Sequence, residues 1–200
     1  MTELIYGLDP LCGWCYGLVP AMRRVAADHP DLPIRLVMAG LVTDERVGPY
    51  AEMEGYIRRA SRRLREVTGR GPSEAFFRLI ATPGVEGNSG PPSVAIAHVA
   101  GMRPERAVDF AHSVIEAHHG EGRDLNREET YAPLLAAVGL PPDLPDIHDP
   151  QLWDAVWEQG RRIGLQSFPT LAVLKDGHAR VLPSEYDPER LSALVGQAAT

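Results

Sequence analysis

The chain contains few cysteines: its 200 residues include only two, Cys12 and Cys15. A framework of structural disulfides needs more cysteines, so the sequence does not indicate a small disulfide-stabilised secreted domain. A zinc site built on one Cys-x-x-Cys pair needs two further ligands, and the sequence has no second such pair. His118 and His119 are adjacent, so they do not share a helix face and nothing pairs them with the cysteines. We therefore expect no metal site.

Long apolar runs and unopposed basic blocks are also missing. No apolar run approaches the roughly 20 residues that span a bilayer, and the segment after Met1 lacks the basic start and apolar stretch of a signal peptide. The net charge of −7 disfavours nucleic acid as a partner. We expect a cytoplasmic protein with no membrane partner, in which a disulfide is catalytic or transient.

Strand patterns occur near the two ends of the chain. Residues Leu4–Leu8 and Ile34–Ala39 predict buried strands that flank a helix over Gly13–Asp28, which is a parallel βαβ unit. Near the other end, Thr170–Leu174 and Ala179–Leu182 flank an Asp-Gly turn and predict a hairpin, followed by a final amphipathic helix. One sheet can therefore be assembled from both ends.

The segment between these ends is predicted to be helical. It has hardly any strand-like alternation, and proline and glycine divide it into helical segments. The predicted helices lie near residues 49–68, 73–80, 91–101, 104–118, 127–138 and 150–163. The sequence therefore predicts an α/β domain formed by residues 1–43 and 161–200, with an all-helical domain over residues 44–160 inserted into it.

The two cysteines lie where a strand ends and a helix begins, which indicates a redox-active dithiol. Free backbone N–H groups and the positive end of the helix dipole stabilise a thiolate at Cys12. Cys15, one turn later, can then attack the resulting mixed disulfide and release the partner. The alternative of two buried thiols acting as small hydrophobes is disfavoured, because this junction is where thiols become reactive.

Four features carry a resemblance to a known family. Cys12-Gly13-Trp14-Cys15 follows the first strand, Pro20 follows the second cysteine by five residues, "GLQSFPT" precedes a late strand, and helices are inserted between the two halves. This pattern resembles the thioredoxin superfamily, and within it the DsbA-like proteins. The chain is more specifically similar to a cytoplasmic group of predicted protein-disulfide isomerases related to FrnE, on the segments "DPLCGWCYG", "AGL", "EGRDL" and "FPT".

The chain also departs from that group. His119 stands where the pattern leads us to expect an aromatic residue before "EGRD". The chain lacks the additional cysteines near the C-terminus that are associated with FrnE, which excludes a second thiol relay.

The resemblance implies a thioredoxin-like fold and a set of site residues. The "FPT" loop resembles the one that holds the family's cis-proline, here Pro169, which has no N–H to compete for the thiolate. Phe168 can present backbone groups to an extended substrate peptide, in the manner of strand addition. Trp14 is expected to be exposed on a substrate-contacting surface, or to pack on the insertion. The catalytic candidates are therefore Cys12, Cys15 and Pro169, and the substrate-binding candidates are Trp14, Phe168 and Thr170.

Other polar residues receive weaker assignments. Asp9 could assist proton transfer, but Asp-Pro is a common turn and we favour the turn. Tyr16 is a secondary candidate. The remaining histidines of interest are treated as surface or helix-packing residues: His98, His112, His118 and His119.

The leading hypothesis is a thiol–disulfide oxidoreductase without a bound cofactor. It would act on disulfide- or thiol-containing proteins, or on small thiols such as glutathione; the redox direction and the oligomeric state stay open. The alternative is a glutathione-dependent transferase or isomerase related to kappa glutathione transferases and hydroxychromene carboxylate isomerases. Those enzymes usually carry a single serine or cysteine at the active position, so the second cysteine of this chain weighs against this alternative. A binding or chaperone module with a groove beside Trp14 and Phe168 is a third possibility.

Overall fold

Both ends of the chain contribute strands to one sheet. The structure, a computed structural model, describes residues 2–200. Its strands are β1 (Thr2–Gly7), β2 (Ile34–Val37), β3 (Gly48–Pro49), β4 (Glu86–Gly87), β5 (Thr170–Lys175) and β6 (His178–Val181). The main sheet has the order β2-β1-β5-β6, with β1 parallel to β2 and the other pairs antiparallel. This confirms the predicted α/β class and the assembly of the sheet from the two ends.

Strand β1 lies between β2 and β5 and is buried on both faces. Leu4 and Tyr6 on one face are each 0% exposed, and Ile5 on the other face is 9% exposed, as expected for a strand covered on both sides. In the register of the sheet, Gly7 at the end of β1 pairs with Thr170 at the start of β5. The loop that follows β1 and the loop that precedes β5 therefore lie side by side, and these two loops carry the predicted catalytic residues.

Helices cover the sheet and fill the segment between its two halves. They are α1 (Gly13–Asp28), α2 (Tyr50–Thr68), α3 (Glu74–Ile80), α4 (Gly90–Met102), α5 (Ala107–His119), α6 (Ala132–Ala137), α7 (Pro150–Arg162) and α8 (Pro188–Ala199). Helix α1 packs against α8, and also against α2 and α5. Within residues 2–200, no helix combines the length and the apolar character needed to cross a bilayer.

The inserted helices share one hydrophobic core with the sheet. That core joins Leu4 of β1 and Met22 of α1 to Ile96 of α4, Ile115 of α5 and Trp157 of α7. The helical insertion is therefore packed directly behind the first strand and the first helix. The domain boundaries at 43/44 and 160/161 stay predictions.

Several predicted elements differ in detail from the structure. The helix predicted over 104–118 is a 3₁₀ turn, Pro104–Arg106, followed by α5, and the one over 127–138 is a 3₁₀ turn, Glu128–Thr130, followed by α6. Pro133 explains the second division, because proline lacks an N–H and is tolerated only in the first turn of a helix. The β3–β4 pairing was not predicted, since each strand is two residues long and contains glycine.

Candidate active site

Helix α1 places the two cysteines at its amino end. Cys12 is the N-cap residue: its carbonyl accepts the Tyr16 N–H at 3.2 Å, and its own N–H donates to the Asp9 carbonyl at 3.1 Å. Cys15 lies in the first turn. Neither cysteine forms a disulfide in this structure. Cys12 is 6% exposed and Cys15 is 0% exposed, so both residues are buried and Cys15 is the more completely buried of the two.

The surroundings of Cys12 favour its thiolate. The Cys15 thiol, which donates a hydrogen bond to Cys12, is the main cause that lowers the pKa of Cys12. Burial and the negative charge of Asp9 oppose this effect, whereas the nearby backbone N–H groups of Cys15 and Trp14 add to it. Cys12 can therefore act as a nucleophile at a lower pH than a free cysteine.

Cys15 is perturbed in the opposite direction. Burial raises its pKa well above the ordinary value, and both the hydrogen bond that it donates to Cys12 and the charge of Cys12 raise it further. It therefore stays protonated while Cys12 is ionised. This asymmetry is the one that an attacking and a resolving thiol require.

The loop before β5 faces the dithiol. The Phe168–Pro169 peptide bond is cis, as the resemblance implied. In its protonated form Cys12 donates to the Phe168 carbonyl oxygen, which lies 3.3 Å from its sulfur. Thr170 donates through its hydroxyl to the Ser167 carbonyl at 2.7 Å, which closes the loop. The structure thus brings together Cys12, Cys15, Phe168 and Pro169, with Thr170 at the start of the adjoining strand.

Trp14 packs in a way that the sequence did not indicate. It is half-buried, and its ring lies 5.6 Å from the ring of Tyr186, in the loop before α8. Burial, and then the charges of the two thiols, raise the pKa of Tyr186 to about 12. Tyr186 also lines a cavity of about 120 Å³ together with Pro169 and Thr170. No sequence signal marks Tyr186, because only the fold brings it to the dithiol.

Asp9 forms the predicted turn, and it also contacts the insertion. Its carboxylate accepts the Leu11 N–H at 2.9 Å, the Leu41 N–H at 2.8 Å and the Ser89 hydroxyl at 3.1 Å. Asp9 is 0% exposed, and burial raises its pKa although these hydrogen bonds act in the other direction. The carboxylate is thus a buried group whose charge opposes a thiolate on the neighbouring dithiol.

The α5 histidines pack inside the protein. His112, His118 and His119 are each at most 2% exposed, so the helix-packing assignment is correct for these three. Tyr50 and His118 are hydrogen-bonded at 3.0 Å, and His119 lies 5.1 Å, ring to ring, from Tyr16. Burial lowers the pKa of His118 to about 4, so this side chain is neutral at pH 7. His98 is half-buried on α4.

Arg70 is a further residue that the sequence did not reveal, and it contacts Tyr16, the residue that follows Cys15. Its guanidinium lies over the Tyr16 ring, 3.8 Å from the centroid, and donates to the Tyr16 carbonyl at 3.2 Å. It also pairs with Glu116 of α5. Arg70 therefore holds the residue that follows Cys15 against the insertion.

Comparison with known proteins gives structural neighbours. No family model and no curated protein sequence matches the chain. The structure is similar to the cytosolic disulfide reductase DsbM from Pseudomonas aeruginosa, with 25% identity, a TM-score of 0.83 and coverage of 98% of this chain and 97% of that one. A structure of DsbM with GSH matches at 24% identity and a TM-score of 0.76, over 98% of both chains. A 2-hydroxychromene-2-carboxylate isomerase matches at 15% identity and a TM-score of 0.59, over 98% and 93%.

Proposed function

We propose that this chain, a DsbA-like protein of the thioredoxin superfamily, is a thiol–disulfide oxidoreductase that uses the Cys12–Cys15 pair. The observation that carries the proposal is geometric: Cys12 is the N-cap residue of α1, Cys15 lies in the first turn, and the carbonyl of the cis Phe168–Pro169 bond lies 3.3 Å from the Cys12 sulfur. The lowered pKa of Cys12 and the raised pKa of Cys15 agree with these roles. The likeness to the disulfide reductase DsbM supports it.

The reaction begins with attack by the Cys12 thiolate on one sulfur of a substrate disulfide. That disulfide bond breaks, the leaving sulfur takes up a proton, and Cys12 becomes part of a mixed disulfide. Cys15 then gives up its proton and attacks the Cys12 sulfur, which releases the second substrate sulfur as a thiol. The substrate gains two electrons and the protein holds a Cys12–Cys15 disulfide. External thiols reduce this disulfide and restore the enzyme, and each step can run in reverse.

The residues around Cys12 are suited to bind the substrate. The Phe168–Pro169 segment lies against the sulfur and offers backbone groups to an extended peptide. The paired rings of Trp14 and Tyr186 provide an apolar contact surface beside it, and Thr170 borders the adjoining cavity. These residues form the proposed substrate-binding surface, and Cys12, Cys15 and Pro169 form the proposed catalytic set.

The partners follow from this chemistry. We place the protein in the cytoplasm, as DsbM is described as cytosolic, and expect it to exchange with protein disulfides and with small thiols such as glutathione. In a reducing compartment, a dithiol of this kind is catalytic rather than structural.

A glutathione-dependent isomerase or transferase is the second candidate. The observation that favours it is the shared fold of the 2-hydroxychromene-2-carboxylate isomerase. In such an enzyme a single thiol or hydroxyl would suffice, and the Cys15→Ala variant would keep saturable glutathione binding and turnover. For an oxidoreductase, the same variant loses turnover because no second thiol resolves the mixed disulfide.

The direct test is reduction of insulin, with glutathione or dithiothreitol as the electron donor. Wild type is expected to accelerate the reaction, and Cys12→Ser is expected to reduce the rate to that of the donor alone. Ser113→Ala serves as the matched control, because Ser113 lies on α5 and its hydroxyl donates to the Asp109 carbonyl of the same helix. A Cys12→Ser variant with the wild-type rate would refute the assignment. The reduction potential of the dithiol, titrated in glutathione buffer, then gives the direction of electron flow.

A further inference from the structure

A buried hydrogen bond connects the catalytic loop to the helical insertion. The hydroxyl of Ser89 donates to the Asp9 carboxylate at 3.1 Å, across 80 residues of sequence. Both residues are 0% exposed. Ser89 is also tied to Val42, with its hydroxyl accepting the Val42 N–H and its own N–H donating to the Val42 carbonyl, each at 3.0 Å. Ser89 is therefore fully buried and held by hydrogen bonds to both Asp9 and Val42.

The position of Ser89 makes this contact unusual. Ser89 is the N-cap residue of α4, and an N-cap serine ordinarily accepts a hydrogen bond from the first turn of its own helix. Here the side chain makes no such cap bond. Its hydroxyl donates to Asp9 instead, so the side chain stabilises the loop between β1 and α1 rather than the first turn of its own helix.

Asp9 is the group through which Ser89 can influence the dithiol. The other two donors to this carboxylate are backbone N–H groups, of Leu11 and Leu41, which leaves Ser89 as the side-chain donor among residues 2–200. The charged and titratable groups that interact with Asp9 come from three places in the fold. They are Cys12 and Cys15 at the amino end of α1, Arg46 of a 3₁₀ turn over Asp44–Arg46, and Tyr50 of α2.

We propose that Ser89 is a positioning residue of the oxidoreductase, which holds the Asp9 carboxylate ionised beside the dithiol so that the helical insertion sets the ionisation of Cys12. The inference rests on the proposed function and assigns the insertion a part in it. A carboxylate that loses one of three donors becomes easier to protonate. Once neutral, it no longer opposes the thiolate of Cys12, and a stabilised thiolate makes the dithiol more oxidising.

The test compares thiolate formation in variants of the reduced protein. In Ser89→Ala, the ultraviolet titration of the Cys12 thiolate is expected to move to lower pH by at least about 0.3 unit, a twofold change in the ionisation constant. The reduction potential is expected to rise in the same variant. Ser89→Thr keeps the hydroxyl and is expected to restore both values.

Ser93→Ala is the matched control on the same helix. The Ser93 hydroxyl donates to the Ser89 backbone carbonyl at 2.6 Å and accepts from the Trp157 indole at 3.0 Å, so it is equally buried but makes no hydrogen bond to Asp9. We expect this variant to lose stability with an unchanged Cys12 titration. A shift in Ser93→Ala as large as that in Ser89→Ala would overturn the proposal, because it would indicate a general packing effect.

A double-mutant cycle decides whether Ser89 acts through Asp9. In an Asp9→Asn background, where the negative charge is absent, Ser89→Ala is expected to cause no further shift. An undiminished shift in that background, or no shift in folded Ser89→Ala, would refute the inference. If Ser89→Ala does not fold, Ser89→Gly replaces it, because glycine is well tolerated at an N-cap. The titration does not require enzyme turnover, so a failed insulin assay and a failed inference are distinguishable.

Discussion

The hydrogen bond between the two thiols makes a sharp prediction about Cys12. It is the largest cause of the lowered pKa of Cys12, and its donor is the Cys15 thiol. Cys15→Ala removes the donor, whereas Cys15→Ser replaces it by a hydroxyl of similar shape. Comparison of these two variants therefore isolates the hydrogen bond from the loss of the second thiol, which they share.

The magnitude follows from the strength of such a bond. A hydrogen bond to a charged group contributes about 1.5–3 kcal/mol, and a thiol is a weak donor, so about 1.5 kcal/mol is appropriate. Since 1.36 kcal/mol corresponds to one pKa unit, Cys15→Ala is expected to lower the ionisation constant of Cys12 roughly tenfold. In Cys15→Ser the serine hydroxyl can donate in place of the thiol, so the ionisation constant of Cys12 is expected to stay within about threefold of wild type.

The assay is the rate of Cys12 alkylation by iodoacetamide as a function of pH, because only the thiolate reacts. Cys12 is the sole cysteine in both variants, so the rate reports one sulfur. Circular dichroism provides the control for folding. If Cys15→Ala and Cys15→Ser titrate at the same pH, the hydrogen bond does not control Cys12 and the reasoning fails.

Three further predictions concern stability and substrate binding. Burial lowers the pKa of His112 to about 3 from 6.5, so the unfolded chain binds a proton below pH 6.5 that the folded chain does not. The free energy of unfolding should therefore fall as pH decreases, and this group should account for about 2 kcal/mol of the fall at pH 5. Urea titrations at several pH values should show a weaker pH dependence of stability in His112→Phe; the same pH dependence in wild type and variant would contradict the prediction. Arg70→Lys keeps the charge but loses the planar stack on Tyr16, so we expect a loss of about 1 kcal/mol in urea unfolding and a larger loss for Arg70→Met; equal stabilities would refute the stack. Tyr186→Ala should raise the KM for insulin about fivefold through loss of its contact with Trp14, whereas Tyr186→Phe should not; a wild-type KM in Tyr186→Ala would remove Tyr186 from the substrate surface.

The central part of the site could be predicted because its signals are local. The apolar strand, the helix start and the spacing of Cys12 and Cys15 lie within one short segment, and the "FPT" motif indicates Pro169 through the thioredoxin-like resemblance. What joins the two loops is the pairing of Gly7 with Thr170. The sequence predicted both strands, and the thioredoxin-like resemblance implied that they are neighbours.

The residues that the sequence did not reveal contact the site over long sequence separations. Asp9 looked like a turn residue because Asp-Pro is a common turn, yet its partner Ser89 lies 80 residues away. Tyr186 reaches Trp14 only once α8 has packed on α1. His119 looked like one of several helix histidines, and its contact with Tyr16 depends on how α5 packs on α1. Periodicity and capping describe neighbours in the chain, so they carry no information about such contacts.

The most direct test of the dithiol mechanism is the intact mass of the protein after incubation with glutathione disulfide. In Cys15→Ser, where Cys12 is the sole cysteine, one glutathione is expected to remain attached, and reduction should remove it. Wild type is expected to carry no adduct and to have lost two hydrogens, because Cys15 resolves the mixed disulfide. An unmodified Cys15→Ser protein, or a wild type that retains glutathione as the variant does, would contradict the division of roles between the two sulfurs.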